Sequence, residues 1–172
     1  MFQDMSKTYD RVNPFMLNLA MARLKFPHPL RVFILNLFCN RKNQVITQHG
    51  LTDPYDVLIG IDQGKVISPL LWCIYYDPLL CEVHSRSHIG YTIQHSWFTN
   101  FDNPTSYNSL CERISFQAYM DDTNWVASSK AQLEETLGIT REFNDLNNIL
   151  VNDDKAELMT TEVVEITNPN NR

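Results

Sequence analysis

Ile114-Ser115-Phe116-Gln117-Ala118-Tyr119-Met120-Asp121-Asp122-Thr123-Asn124-Trp125-Val126-Ala127 is the stretch from which the rest of this 172-residue chain is best read. Ile114, Phe116, Ala118 and Met120 alternate with Ser115, Gln117 and Tyr119, the period-two pattern of a strand with one buried face. Asp121-Asp122-Thr123-Asn124 is rich in turn formers, and Trp125-Val126-Ala127 starts a return strand. The stretch is therefore expected to form a hairpin with two adjacent carboxylates at its tip. Neighbouring carboxylates repel, and a bound cation offsets that repulsion best. Turn propensity alone also accounts for Asp at such a place.

Towards the C-terminus, Ser129 and Gln132 have capping-box spacing before a helix carrying Leu133, Leu137, Ile139, Phe143 and Leu146. Ile149 to Val151 and Glu157 to Met159 then flank the polar turn Asn152-Asp153-Asp154, and Asn168 to Arg172 reads as a frayed tail. Towards the N-terminus, Tyr91 to Trp97 suggests a strand and Asn100 to Asn108 a polar loop. Ile67 to about Ser85 is too long and apolar for a strand and predicts a buried helix, with Pro69 in its first turn and a kink at Asp77-Pro78. Gln44 to Gln48 and Asp56 to Ile61 predict two strands linked by Thr52-Asp53-Pro54. Asn13-Pro14 reads as cap and first position of a helix reaching about Leu24. Pro27-His28-Pro29 breaks that helix, and Leu30 to Cys39 predicts a second, well-buried one. Helices and strands mixed in irregular order point to an α+β fold, helices packed on one face of a mainly antiparallel sheet.

Composition sets limits. A 44% hydrophobic, 11% aromatic chain is not disordered, and one domain accommodates its length. The longest apolar run, Leu70 to Tyr76, is far short of the ~20 residues of a membrane span. The N-terminus lacks the pattern of a secretory signal, and Cys39, Cys73, Cys81 and Cys111 are scattered rather than paired. These features predict an intracellular protein, nuclear or cytoplasmic, with no membrane partner. Fourteen Lys and Arg against twenty Asp and Glu give a net charge of -6. That balance lacks the footprint of a self-sufficient nucleic-acid binder.

Asp4 ends a short apolar start and precedes a helix. A strand ending in Asp beside a hairpin tipped with Asp is a geometry for two hard cations about 3.5–4 Å apart. Mg²⁺ takes a few carboxylates and completes its shell with water and phosphate oxygens, so few protein ligands suffice.

Four segments together carry a resemblance. Gln3-Asp4-Met5-Ser6-Lys7-Thr8-Tyr9-Asp10 resembles the first palm motif of reverse transcriptases. Gly60-Ile61-Asp62-Gln63-Gly64-Lys65-Val66-Ile67-Ser68-Pro69-Leu70 is similar to the second, and Ala118-Tyr119-Met120-Asp121-Asp122 to the third. Asn152-Asp153-Asp154-Lys155-Ala156-Glu157 is similar to the fourth. Their order matches, and the first two resemble most the enzymes of non-LTR retrotransposons. The resemblance implies a palm-like, ferredoxin-type antiparallel sheet over residues 1–161, followed by a tail at 162–172. It further implies that Asp4 and Asp121 hold two Mg²⁺ ions (Mn²⁺ being an alternative), with Asp122 beside them. Tyr9 would sit under the sugar and exclude a ribose 2′-hydroxyl, Gln63 and Gly64 would contact nucleotide and template, and Lys155 would protonate departing pyrophosphate. The implied partners are an RNA template, a DNA primer and deoxynucleoside triphosphates.

Thr8 departs from the family, standing where a small alanine is usual. The chain starts three residues before Asp4 and has only a short tail after Met159, so a palm without fingers and thumb is expected, weak or inactive alone. Those segments, or a parent polyprotein, would then be partners. The alternative is a non-enzymatic retroelement remnant or a protein-interaction domain, with apolar surface exposed around Met1 to Arg11 and Leu58 to Val66. Arg11 and Arg41-Lys42 are too few to hold a duplex. Cys81, His84 and His88 have spacing that could serve a metal, but exposed polar residues explain them more simply.

Overall fold

The computed structural model describes residues 1–98 and 107–161. Strands β1 (Phe2–Gln3) and β2 (Met5–Ser6) open the chain, followed by α1 (Thr8–Arg11), α2 (Pro14–Arg23) and α3 (His28–Asn36). Four short strands come next, β3 (Arg41–Asn43), β4 (Ile46–Thr47), β5 (Gly50–Leu51) and β6 (Tyr55–Val57), ahead of the long helix α4 (Ser68–Ser85). Then follow β7 (Tyr91–Phe98), β8 (Tyr107–Ile114), β9 (Phe116–Tyr119), β10 (Asp122–Trp125), α5 (Lys130–Asn147), β11 (Leu150–Val151) and a 3-10 turn at Asp153–Lys155. The pairings are antiparallel: a three-stranded sheet β1-β10-β9 and the two-stranded ribbons β2-β11, β3-β6, β4-β5 and β7-β8. The fold is α+β, as expected.

Helix α4 is the centre of the core. Pro69 sits in its first turn, Pro78 lies within it, and Leu71, Trp72, Ile74, Tyr75, Tyr76, Leu79 and Val83 are buried. Helices α2 and α5 pack against it. Asn13 caps α2, its Oδ1 accepting from the Phe15 amide at 2.9 Å. Ser129 caps α5 by accepting from the Gln132 amide. The reciprocal bond of that capping box falls one residue early, with Gln132 Oε1 accepting from the Ser128 amide. The buried positions of α5 are Thr136, Thr140, Asn144 and Asn147, while Leu133, Leu137, Ile139 and Phe143 pack on the core half-buried. Leu146, expected on the apolar face, is 75% exposed.

Several other expectations are corrected. Helix α3 begins at His28, with Pro29 inside its first turn, and only Ile34 of its residues is buried. The region of Gln44 to Ile61 forms two small ribbons, β4-β5 nested inside β3-β6, rather than one pair of strands. The first expected strand contains β4 and the second overlaps the end of β6, while β3 and β5 lie outside both. Strand β8 pairs along its whole length with β7 although its described residues before Ile114 are polar or exposed. The hairpin turn is Met120-Asp121, and the return strand starts at Asp122, three residues ahead of Trp125. Ala118 faces inward by register with Thr123 but stays exposed, because β9 is the sheet's edge. The core of the expected loop at 100–108 and the tail at 162–172 lie outside the described residues. Among the described residues no helix is long and apolar enough to cross a membrane.

Candidate active site

Register brings the acids to one edge. In the β1-β10 pair Phe2 faces Asn124 and Gln3 faces Thr123, so Asp4, one residue on, reaches the level of Asp122. Alternation then sorts the side chains. Gln3, Thr123 and Trp125 are buried, whereas Asp122 and Asn124 are exposed and Asp4 is half-buried. A cavity of about 320 Å³ opens on the outward side, lined by Phe2, Gln117, Ala118, Tyr119, Asp122 and Asn124.

The inward side is fixed by aromatic groups whose polar ends all find partners. Trp125 Nε1 donates to Gln3 Oε1 at 2.6 Å, and the Tyr76 hydroxyl meets Thr123 Oγ1 at 3.3 Å. Trp72 Nε1 donates to the carbonyl of Met120 at 2.7 Å, and its ring stacks on Tyr76 with centroids 5.3 Å apart. Met120 has φ 55, a left-handed conformation unusual for its side chain. The hydrogen bond from Trp72 is one of the contacts that keep it there. Burial pushes the Tyr76 hydroxyl well above its ordinary value.

On the outward edge, the Lys155 ammonium lies 2.9 Å from Asp4 Oδ2. Asn152 holds Asp4 twice, its amide donating to the Asp4 carbonyl at 2.8 Å and its Nδ2 to Oδ2 at 3.3 Å. Lys155 has its pKa raised, first by the hydrogen bond and charge of Asp4 and then by the charges of Asp122 and Asp121. All three carboxylates therefore act on one ammonium. Tyr9 packs its ring edge on Trp72, and its hydroxyl donates to Met120 Sδ at 3.7 Å. Its pKa is raised by desolvation and next by the charge of Asp121.

Asp4, Tyr9, Asp121, Asp122 and Lys155 thus gather where β1 and the hairpin turn meet. Gln63 and Gly64 stand apart from them, exposed on the loop leading into α4. Among the described residues no three His, Cys, Asp or Glu side chains come together closely enough to hold a metal ion. That covers Cys81, His84 and His88 as well: Cys81 lies beside Arg23 and Asp77, His84 beside Phe116, and His88 beside Glu135, beyond the end of α4. For the three aspartates the donor chemistry nonetheless suits Mg²⁺, which needs only one or two carboxylates when phosphate oxygens and water complete its shell. Among the described residues no hydrogen bond or ion pair engages the Asp121 or Asp122 carboxylate. Sequence reasoning placed Trp72 in the core but missed its grip on the turn. A buried indole N–H that must find an acceptor was the available signal.

An α+β fold of this kind, with acids at the meeting of a short strand and a hairpin, defines a polymerase-like class. The family profile described as reverse transcriptase (RNA-dependent DNA polymerase) matches residues 1–167, and the chain belongs to that family. Among solved structures it is similar to telomerase from Candida albicans in complex with a TWJ fragment of telomeric RNA, at 14% identity and TM-score 0.62. It is also similar to apo telomerase from Candida tropicalis truncated from its C-terminal domain, at 15% identity and TM-score 0.55. These likenesses cover 95% and 90% of this chain but only 27% and 29% of theirs, so the chain spans under a third of those proteins. A comparison with curated proteins finds no match.

Proposed function

We propose that the chain carries the nucleotidyl-transfer centre of an RNA-directed DNA polymerase of non-LTR retrotransposon type, with residues 1–161 as its palm and 162–172 as a following tail. The family profile runs into the first residues of that tail. The observation that carries the reading is the β1-β10 register, which brings Asp4 to the level of Asp122 beside the Asp121 turn, with the Lys155 ammonium 2.9 Å from Asp4 Oδ2. Asp4 and Asp121, with Asp122 beside them, would hold two Mg²⁺ ions, or Mn²⁺ in their place. Such ions lower the pKa of a primer 3′-hydroxyl and neutralise the triphosphate. Lys155, an ammonium held against Asp4, whose hydrogen bond and charge raise its pKa, supplies a proton to departing pyrophosphate. Tyr9 lies under the sugar of the incoming deoxynucleotide, and Gln63 and Gly64 contact nucleotide and template.

Primer extension on an RNA template with Mg²⁺ tests this. Because a net charge of -6 weakens binding to phosphates, the assay is run at low ionic strength. Asp121→Asn is expected to reduce extension about a hundredfold or more. Extension that survives Asp121→Asn overturns the reading.

A second reading, a protein-interaction domain without catalysis, is favoured by the exposure of Ile46, Leu58 and Val66 at 85%, 84% and 99%. Of the apolar residues expected to be exposed at Met1 to Arg11, Met5 is buried and Met1, Phe2 and Tyr9 are half-buried. A clean monomer in size-exclusion chromatography counts against the second reading.

A further inference from the structure

The loop carrying Gln63 and Gly64 is anchored by a charge node to which the polymerase reading gives no role. Asp62 receives two cations, Arg41 on Oδ1 and Lys65 on Oδ2, the latter at 2.6 Å. The Arg41 guanidinium also donates to the carbonyls of Gly60 at 2.6 Å and Phe38 at 2.8 Å. Both cations stand over the ring of Phe38, 5.5 and 5.3 Å from its centroid, and Phe38 is itself buried in the core. The Arg41 and Asp62 side chains are only 12% and 28% exposed. Nearby, the Lys42–Asp56 pair sits at 3.7 Å with both side chains about two-thirds exposed, so it contributes little.

The main chain around the node is tied at both ends. Ser68 Oγ donates to the Asp62 carbonyl at 2.6 Å, the Gly60 amide to the Val12 carbonyl and the Ile61 amide to the Tyr9 carbonyl, each at 2.8 Å. Gly60 has φ +90, and a Cβ there would lie 2.8 Å from the Asp10 carbonyl oxygen. Between these ties only the middle of the loop is open, with Gly64 at φ +91. The last of the ties also joins the loop to Tyr9 in one backbone frame.

We propose that Asp62 is a positioning residue for the incoming deoxynucleoside triphosphate: by holding Arg41 and Lys65 in one arrangement it fixes the Gln63-Gly64 backbone against Tyr9. This rests on Gln63 and Gly64 being nucleotide contacts. A fork of guanidinium bonds shared between a carboxylate and two carbonyls has one good geometry, whereas an amide at 62 removes the charge that holds Lys65 and leaves Arg41 with neutral acceptors only.

The test pairs two measurements on the full chain: amide hydrogen exchange of residues 60–68, and titration with dATP in the presence of Mg²⁺. Asp62→Asn is expected to speed exchange at Gly60 and Ile61, whose amides are hydrogen-bonded to the Val12 and Tyr9 carbonyls, leave that of α4 and β10 unchanged, and weaken dATP binding about tenfold. Asp62→Glu, which keeps the charge, recovers part of both effects, and Asp56→Asn changes neither. If Asp62→Asn alone does not fold because Arg41 is left uncompensated, the double variant Asp62→Asn with Arg41→Gln removes both charges and is read in the same way. Unchanged exchange in the folded variant overturns the proposal, and so does weaker dATP binding without faster exchange, which would make Asp62 a direct contact. If the unaltered chain does not bind dATP, the polymerase reading fails separately, and exchange still decides whether Asp62 fixes the loop.

Discussion

The hairpin β9-β10 and the ribbon β7-β8 are both antiparallel pairs of neighbouring strands, and the shorter is the better supported. The ribbon has eight facing residue pairs, yet Tyr91 to Trp97 are all exposed. It is fastened mainly at its base, where Arg113 donates to the carbonyls of His84, Arg86 and Ile89 at the end of α4. The hairpin has four pairs, but Thr123 and Trp125 are buried on its inward side and β1 flanks it. Length of pairing does not hold a strand pair in water, whereas an inward face packed on a helix does.

Two tryptophans break or sharpen this contrast. Trp72→Ala removes a buried ring together with the hydrogen bond to the turn, and denaturant unfolding is expected to show a loss of about 3–5 kcal/mol. A smaller effect is expected from Gly90→Ala at the ribbon's base, where φ is +121 and a Cβ would lie 2.8 Å from the Ile114 carbonyl oxygen. The cost is about 1–3 kcal/mol, read by hydrogen exchange as faster opening of β7 than of β10. Tyr76 gives a pH signature for the packed region. Below pH 10 the hydroxyl is protonated whether the chain is folded or not; above it the unfolded chain releases the proton and the folded one, with its raised pKa, keeps it. Stability should therefore fall with rising pH above 10, by up to about 1.4 kcal/mol per pH unit from this group, and Tyr76→Phe should flatten that fall. Smallest is Trp97→Ala, on the ribbon and 42% exposed, expected to change global stability by no more than about 0.5 kcal/mol.

What the sequence made legible was local or deeply buried. The Asn13 and Ser129 caps are set by a few neighbouring residues, and α4 by an apolar run with Pro at its start. Asp4 and the paired aspartates were legible because strand alternation and the collinear motifs place them without any knowledge of packing. The turn was misplaced because Met is no turn former, and Met120 takes its left-handed backbone in a setting built by Trp72, far away in sequence. Strand β8 was missed because a ribbon wet on both sides carries no apolar period. The burial of α3 was overestimated because an apolar helix end reads the same whether a neighbour covers it or not. The node of Arg41 and Asp62 joins residues 21 apart, and no pattern in either segment announces it.

The indole bond from Trp72 to Met120 separates two kinds of support around the acids. It lies against the interior, where dissolved ions do little, while the Lys155–Asp4 pair has an ammonium side chain 64% exposed and feels them fully. Raising the salt should accordingly loosen the lysine from its carboxylate long before it disturbs the peptide bend on which Asp121 rides.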